Sequence, residues 1–324
     1  MRKIIAGLGS GFVGFFEPVH MAICLGAYVG PMNDSRQKWL VLDAPSPMTA
    51  LLVEQLAQHA AQVVVGVPSP VSPVYGLDCV LVDYTDVVSM ASAMRSIDVL
   101  VIPPFQSPDA RARHALVLEA AEHAQVSHVI RLSCIGADPF SQNDWLRLNG
   151  QADNRLRMSS LNYTVFECAP LMQTIQLQVQ THQAGVQRLQ MPLGQGAVCW
   201  LDLADLAACI AERAAQVLPE GMTYQLTGRQ RLRGDQLAQA MADVLGCMVV
   251  YLDAPEHAWL AGLASRGVSP QEVMWEKAYY RAIRAGVFEL PYGDIYRLLL
   301  TPPRTLSVYL ARTQTQHLFE NARP

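Results

Sequence analysis

The chain has 324 residues, a formal net charge of −4, 51% hydrophobic residues and 16% charged residues. This length accommodates one large α/β domain with an appended lobe, or two modest domains. Because the composition carries no excess of Lys and Arg, it argues against a nucleic-acid-binding protein, which needs cationic surface to release counterions.

The seven cysteines are scattered along the chain, without a Cys-x-x-Cys pair or a neighbouring Cys/His cluster. This spacing predicts neither a metal site nor a disulfide framework. A reducing compartment fits such free thiols best, and we therefore expect a cytoplasmic protein.

The N-terminal residues 1–38 are interpreted as an extension of unknown role. A basic start followed by the apolar run 4–16 is similar to a short signal peptide, an alternative that stays open. Glu17 and Pro18 interrupt the run before it reaches the roughly 20 residues of a spanning helix, so we expect no membrane span.

From residue 39 the chain alternates between short β-branched runs and longer amphipathic stretches, a pattern typical of repeated βαβ units around a parallel sheet. The predicted strands are residues 39–44, 62–67, 79–83, 99–103, 128–133 and 163–167. The predicted helices between them are residues 47–60, 86–95, 108–125 and 143–160. This pattern predicts a Rossmann-like domain over residues 39–170 with helices on both faces of the sheet.

The rhythm changes after Pro170, where we place a C-terminal substrate or lid lobe, residues 171–324, partly interleaved with the Rossmann sheet. Its predicted elements are a strand over 198–203, a helix containing 205–217, a strand over 221–227, a helix over 233–245, a strand over 248–252 and a mostly helical stretch over 255–300.

Several segments keep a common order and spacing: 80–86 (VLVDYTD), 97–104 (IDVLVIPP), 128–138 (HVIRLSCIGAD), 163–166 (YTVF) with 171–173 (LMQ), 200–207 (WLDLADLA) and 224–228 (YQLTG). Over about residues 39–312 the chain thereby resembles the NmrA-like branch of the atypical short-chain dehydrogenases. That group includes quinone and dye reductases, redox-sensing regulators and ergot-type alkaloid enzymes. The resemblance implies an α/β fold, a doubly wound parallel Rossmann-like sheet with a smaller C-terminal α/β lobe, and NAD(P)-binding ancestry.

The turn after the first strand departs from the glycine motif of that family. Asp43, Ser46 and Thr49 stand where the family has three glycines, and Pro45 and Pro47 remove two backbone N–H groups. Each lost donor to a diphosphate is worth roughly 1.5 to 3 kcal/mol, and a nearby carboxylate adds repulsion. We therefore interpret the turn as a degenerate, vestigial nucleotide site and expect no cofactor, with NAD(P)H held in an unusual way as the alternative. The turn comprises Asp43, Ala44, Pro45, Ser46, Pro47, Met48 and Thr49.

A second glycine pattern, G-x-G-x-x-G, occurs at residues 9–14 within the N-terminal extension. If it bound nucleotide, Asp43 would be the ribose acid, yet Asp43 lies 29 residues past Gly14, beyond the usual spacing of about 20. Pro18 also breaks the helix that should follow. We interpret these residues as a glycine-containing apolar extension.

The chain carries no Tyr-x-x-x-Lys pair, the usual acid/base of short-chain dehydrogenases. In the helix after the fifth strand, where the family commonly has His or Lys, this chain has Asn149, which cannot carry a proton at neutral pH. No catalytic residue and no metal ligand are assigned.

Ligands of doubly wound sheets bind outside the carboxyl ends of the strands, which here are mostly apolar. We therefore predict a substrate pocket formed by Pro104, Phe105, Ser133, Cys134, Trp145, Asn149, Pro170, Leu171, Met172 and Gln173.

Three functions remain open. The first is a pseudo-oxidoreductase that binds a small organic ligand, such as a secondary metabolite, and acts as a cofactor-independent cyclase or isomerase. The second is a NAD(P)H-dependent oxidoreductase. The third is a non-catalytic regulator or assembly scaffold with a protein partner, or a homo-oligomer, and a cleft filled by side chains would favour it.

Overall fold

The computed structural model describes residues 37–42, 47–59, 62–68, 77–105, 109–176, 178–181, 186–216, 221–291 and 293–313. Up to residue 168 the elements follow in the order β1 (Lys38–Val41), α1 (Pro47–Leu56), β2 (Gln62–Val67), β3 (Asp78–Leu81), α2 (Val87–Ala93), β4 (Val99–Ile102), α3 (Ala110–Ala124), β5 (His128–Cys134), α4 (Asp144–Arg157) and β6 (Tyr163–Cys168). The predicted strands and helices of this half are therefore present, with ends shifted by a few residues.

The later elements are α5 (Gln173–Gln176), β7 (Val179–Thr181), β8 (Gln187–Met191), β9 (Val198–Cys199), α6 (Leu203–Ala214), β10 (Met222–Leu226), β11 (Arg231–Leu232), α7 (Gly234–Leu245), β12 (Val249–Asp253), α8 (Glu256–Ser265), α9 (Pro270–Arg284), α10 (Ile295–Leu299) and α11 (Leu306–Thr313). β12, β8 and β7 form a small sheet, and β11 pairs with β9.

The main sheet has seven strands in the order β10-β6-β5-β4-β1-β2-β3, and every neighbouring pair is parallel. β2 shows why the sheet is buried on both faces: five of its six residues are buried, in a nearly continuous run of valines. The strand order is that of a doubly wound Rossmann sheet. The predicted fold class is confirmed.

Each face of the main sheet is covered by its own helices. On one face, Leu52, Val53 and Leu56 of α1 and the apolar side of α6 pack on the sheet. On the other face, the core includes Met90 of α2 and Val117 of α3. A further core joins Cys134, at the carboxyl end of β5, to the helices of the C-terminal half. The carboxyl edge therefore lies against the predicted lid lobe.

The strand predicted over residues 221–227 belongs to the main sheet rather than to the small one. β10 pairs with β6 in the register Tyr224↔Phe166, and the two rings lie 5.8 Å apart. Burial of Tyr224 against Phe166 gives this strand its place at the sheet edge. Chain from beyond residue 170 thus completes the Rossmann sheet.

Side-chain caps set the starts of several helices. Asp86 accepts from Val88 N at 2.9 Å at the start of α2, and Asn143 accepts from Trp145 N at 3.0 Å at the start of α4. Asp202 caps α6 through Ala204 N at 3.0 Å. Each cap satisfies backbone donors that would otherwise lack partners. The caps explain why these helices begin one residue after a polar side chain.

Among the described residues, no helix combines the length and the apolar character that a membrane crossing requires.

His128, the first residue of β5, makes stability sensitive to acid. Burial, with Arg213 nearby, lowers the pKa of its imidazole to about 4, and its Nε2 lies 3.0 Å from Thr164 Oγ1. The unfolded state binds a proton near pH 6.5 and the folded state does not, so stability falls between pH 6.5 and 4, by up to about 1.4 kcal/mol per pH unit. We expect His128→Gln to flatten this dependence, measured by urea unfolding at pH 4.5, 5.5 and 6.5. Equal slopes for wild type and variant would contradict this, and exposed His123→Gln is the control.

Candidate functional site at the carboxyl edge of the sheet

The connection between β1 and α1 is short, as in a dinucleotide-binding domain. Asp43, Ala44, Pro45 and Ser46 lie outside the described residues, whereas Pro47 is the first residue of α1. Thr49 is buried and Met48 is half-buried. Pro47 has no N–H, but Met48 and Thr49 carry amide hydrogens in the first turn, the kind of donor that binds a diphosphate. The arrangement fits a dinucleotide, although with fewer donors than a glycine turn supplies.

The carboxyl end of β2 carries no charge to select a ribose substituent. Val67 is buried, Pro68 is exposed, and no Asp, Glu, Lys or Arg occurs between Glu54 and Asp78. In related domains an acid here binds the ribose 2′-hydroxyl and an arginine binds a 2′-phosphate. The end of β2 therefore has no charged side chain that would favour either a ribose 2′-hydroxyl or a 2′-phosphate.

Phe105, predicted to line the substrate pocket, packs into the core beneath α3. Its ring lies 4.6 Å from that of His114 and 5.4 Å from that of Tyr84, and the side chain is 2% exposed. Pro104, one residue earlier, is half-buried. Pro104 thus remains the more accessible of the two predicted pocket residues.

Ser133 belongs to a buried polar network on the α4 side of the sheet. Its hydroxyl donates to Asp153 Oδ2 at 2.5 Å, and Arg131 Nε lies 3.7 Å from Asp153 Oδ1. Desolvation raises the pKa of the Asp153 carboxyl, while Arg131 acts against that shift. The network joins β5 to α4 and holds Ser133 in place.

Asn149 joins the same network through both ends of its amide. Its Oδ1 accepts from Arg131 Nη2 at 2.9 Å, and its Nδ2 donates to the Trp145 carbonyl oxygen at 3.0 Å. The side chain is 1% exposed. Both ends of the Asn149 amide are therefore used in hydrogen bonds to Arg131 and within α4.

Cys134, next to Ser133, lies in the core that joins the carboxyl edge to the C-terminal helices. Cys134, Trp145 and Met172 are all buried in this core. The Trp145 indole contacts the Cys134 thiol, and burial raises the pKa of that thiol. A neutral, buried thiol is neither a nucleophile nor a proton donor near neutral pH.

Aromatic rings from α4 and α9 cover Cys134. The ring of Trp145 lies 6.5 Å from Trp275 and 6.4 Å from Tyr279, in edge-to-face geometry. Burial raises the pKa of the Tyr279 phenol. We call Trp145, Trp275 and Tyr279 the aromatic wall. Trp275 and Tyr279, which lie four residues apart in α9, thus pack against the predicted pocket residue Trp145.

The residues after β6 anchor the start of α6. Leu171 forms an isolated parallel bridge with Leu201, and buried Pro170 accepts from Leu201 N at 2.9 Å. Gln173 donates to Asp202 Oδ1 at 3.0 Å and accepts from Leu203 N at 3.2 Å. Both ends of the Gln173 amide are therefore used within the fold.

The structure thus brings Cys134 and Met172 together with the aromatic wall, which includes Trp145. Phe105 and Asn149, by contrast, face the core beneath α3 and α4. Trp275 and Tyr279 were not among the predicted pocket residues, although aromatic residues four positions apart in a helical stretch lie on the same helix face. Among the described residues, no group of His, Cys, Asp and Glu could hold a metal ion.

A family described as NAD(P)H-binding matches residues 48–214, about half of the chain. A NAD(P)H azoreductase of Xenophilus azovorans is 30% identical over 166 residues, covering 51% of this chain and 57% of that protein. The chain therefore spans little more than half the length of this relative.

Two solved structures share the fold. A NADPH-dependent quinone oxidoreductase of Escherichia coli, complexed with NADPH, superposes with a TM-score of 0.70 at 21% identity, covering 85% of this chain and 99% of that one. NmrA, a negative transcriptional regulator in complex with NAD, superposes with a TM-score of 0.68 at 15% identity, covering 90% of this chain and 99% of that one. At such identities the likeness concerns the fold.

The expectation of a chain without a cofactor is wrong, because the domain matches a NAD(P)H-binding family. That expectation rested on residues 43–49. The family match begins at Met48, so the match depends on the strands and helices beyond the turn. Lost amide donors weaken a diphosphate site, but the helix terminus and the rest of the domain still contribute. The cofactor-independent cyclase or isomerase hypothesis loses its premise. The resemblance to NmrA-like atypical short-chain dehydrogenases is confirmed, and the chain belongs to the NAD(P)H-binding family.

Proposed function

We propose that this protein is a NAD(P)H-dependent reductase of small, planar, conjugated organic acceptors. The match of residues 48–214 to a NAD(P)H-binding family carries the proposal. The azoreductase relative and the fold of the quinone oxidoreductase support it. The bound nicotinamide would supply a hydride, and this chain would supply the binding surface.

The groups at the carboxyl edge favour an acceptor that needs no proton from the protein. Asn149 cannot donate a proton, and burial raises the pKa of both Cys134 and Tyr279. A conjugated acceptor spreads the arriving charge over its own π-system and can take its proton from water after it leaves the site. This chemistry favours quinone-like or azo-like acceptors over simple ketones.

The aromatic wall supports the same substrate class. Flat conjugated rings bind to tryptophan and tyrosine faces and edges, and each such contact is worth about 0.5–1.5 kcal/mol beyond burial. Trp145 is only 7% exposed, so the wall leaves little open space in front of Cys134. An acceptor that binds next to Cys134 would therefore have to displace one ring of the wall. The wall would thus exclude water from the reacting atoms.

We expect NADH and NADPH to bind with dissociation constants within about tenfold of each other, because the end of β2 carries neither acid nor base. Calorimetric titration of the purified protein with each nucleotide measures both constants. Exposed Pro68→Arg should shift the preference toward NADPH by about tenfold, since it restores a cation for the 2′-phosphate. Failure of both nucleotides to bind at millimolar concentration would overturn the reductase proposal.

A non-catalytic regulator is the second candidate, favoured by the filling of the carboxyl edge by Cys134, Trp145 and Met172. Steady-state oxidation of NADH with menadione and with methyl red separates the two candidates. A reductase turns over at least one acceptor. Tight nucleotide binding without turnover of either would favour the regulator.

A further inference from the structure

Two adjoining cavities lie on the outer surface of the fold between α3 and α4. The first has a volume of about 650 Å³, and the second, which also reaches α9, has a volume of about 540 Å³. Both are lined by Arg111, Ala115, Leu148 and Arg155. These volumes fall in the range of small-molecule sites, roughly 300–1,000 Å³.

Two guanidinium groups at the second cavity form no ion pair with the residues that the structure describes. Within the described part of the chain, neither Arg111 nor Arg155 has a side-chain hydrogen bond or an ion pair. The one acid lining this cavity, Asp109, is ion-paired with Arg113 at 2.9 Å. Two further acids, Glu119 and Glu122, line the first cavity, and Glu122 accepts from Ser160 N and Oγ at 2.9 Å. The second cavity is therefore the cationic end.

The rest of the second cavity is lined by apolar side chains and by Gln271. Leu148, Ala115 and Trp275 supply most of the apolar lining. The side chain of Asp109 does not cap α3, so the first-turn amides of that 15-residue helix add to the positive potential. Two guanidinium groups and several apolar side chains therefore line one cavity.

We propose that the second cavity binds a small amphipathic anion, a carboxylate or sulfonate carried on an aromatic body. The guanidinium groups of Arg111 and Arg155 bind the anionic head, and the aromatic body lies on Leu148 against Trp275. The site lies on the outer side of α3 and α4, whereas the dinucleotide of the proposed function would lie at the β1–α1 connection. Its occupancy does not depend on the proposed function.

Calorimetric titration with naphthalene-2-sulfonate, without nucleotide, tests the site. We expect saturable one-to-one binding below millimolar concentration, and at least tenfold weaker binding of the neutral analogue 2-naphthalenemethanol. Arg111→Gln and Arg155→Gln should each weaken sulfonate binding about tenfold, and exposed Arg95→Gln should leave it unchanged. These residues are exposed, so the variants should fold.

Tryptophan fluorescence gives a second readout, because the anion contacts one of the five tryptophans. Sulfonate should change the emission of wild type, and Trp275→Phe should remove most of that change. Equal binding of the neutral analogue, or wild-type affinity in both arginine variants, would overturn the proposal. Absence of saturable binding to the wild type would overturn it as well, and nucleotide titration in the same sample would show whether the cofactor site is intact.

Discussion

Gly150→Ala should destabilise the protein by roughly 3 kcal/mol, at the upper end of overpacking costs. A Cβ at this position would lie 2.3 Å from the Asp138 carbonyl carbon and 2.4 Å from Pro139 N. Both contacts are to backbone, which cannot rotate away as a flexible side chain can. The loop after β5 and helix α4 would have to separate, and Asn149 would lose its register with Arg131. Urea unfolding followed by circular dichroism measures the loss.

The matched control is Gly262→Ala in α8, where a Cβ meets no atom within 4 Å. Alanine in a helix interior is favoured over glycine by about 0.5–1 kcal/mol, so this variant should be slightly more stable than wild type. A comparable loss in the two variants would mean that the close approach at Gly150 does not decide the result.

Asp153→Ala should cost about 3–5 kcal/mol, because it leaves the buried Arg131 guanidinium without a counter-charge. Arg131 is 2% exposed, Asp153 is fully buried, and Arg131 Nε lies 3.7 Å from Asp153 Oδ1. At that distance the contact is an ion pair rather than a hydrogen bond, so its loss is chiefly one of charge balance. Chemical denaturation at pH 7 measures the change.

The double variant Arg131→Met with Asp153→Leu separates charge balance from packing. It removes both charges, and we expect it to be more stable than Asp153→Ala alone. Glu256→Ala, which breaks a surface ion pair with Arg281, should change stability far less. If the double variant lost as much stability as Asp153→Ala, or more, the network would stabilise the fold in its own right.

The secondary structure of the first half could be predicted because short-range patterns specify it. Runs of β-branched residues are buried on both faces of a parallel sheet, and Asp86 and Asn143 cap the helices that follow them. The predicted strand over residues 62–67 coincides with β2. Predicted helix ends were less accurate, and the first helix was predicted to residue 60 but ends at Leu56, because the last turn depends on packing.

The cofactor prediction failed because it weighed one turn against a whole domain. Prolines and an acid at residues 43–47 argue locally against a diphosphate, but the family match depends on the order and spacing of elements from α1 to α6. The chemistry of the turn argued against a bound nucleotide, whereas the pattern of the whole domain indicated one. The domain pattern covers far more residues than the turn does. Nucleotide titration remains the direct measurement of what the turn costs.

The sequence by itself determined the doubly wound fold, the order of its first strands and helices, and the family resemblance, since periodicity and spacing are properties of the chain. Only the tertiary structure decided that β10 joins the main sheet, that Gln173 and Asn149 are committed to holding helices, and that Arg111, Arg155 and Trp275 share one cavity. These outcomes depend on which distant side chains come together, and contacts between residues that lie far apart in the chain leave no periodic signal in one sequence.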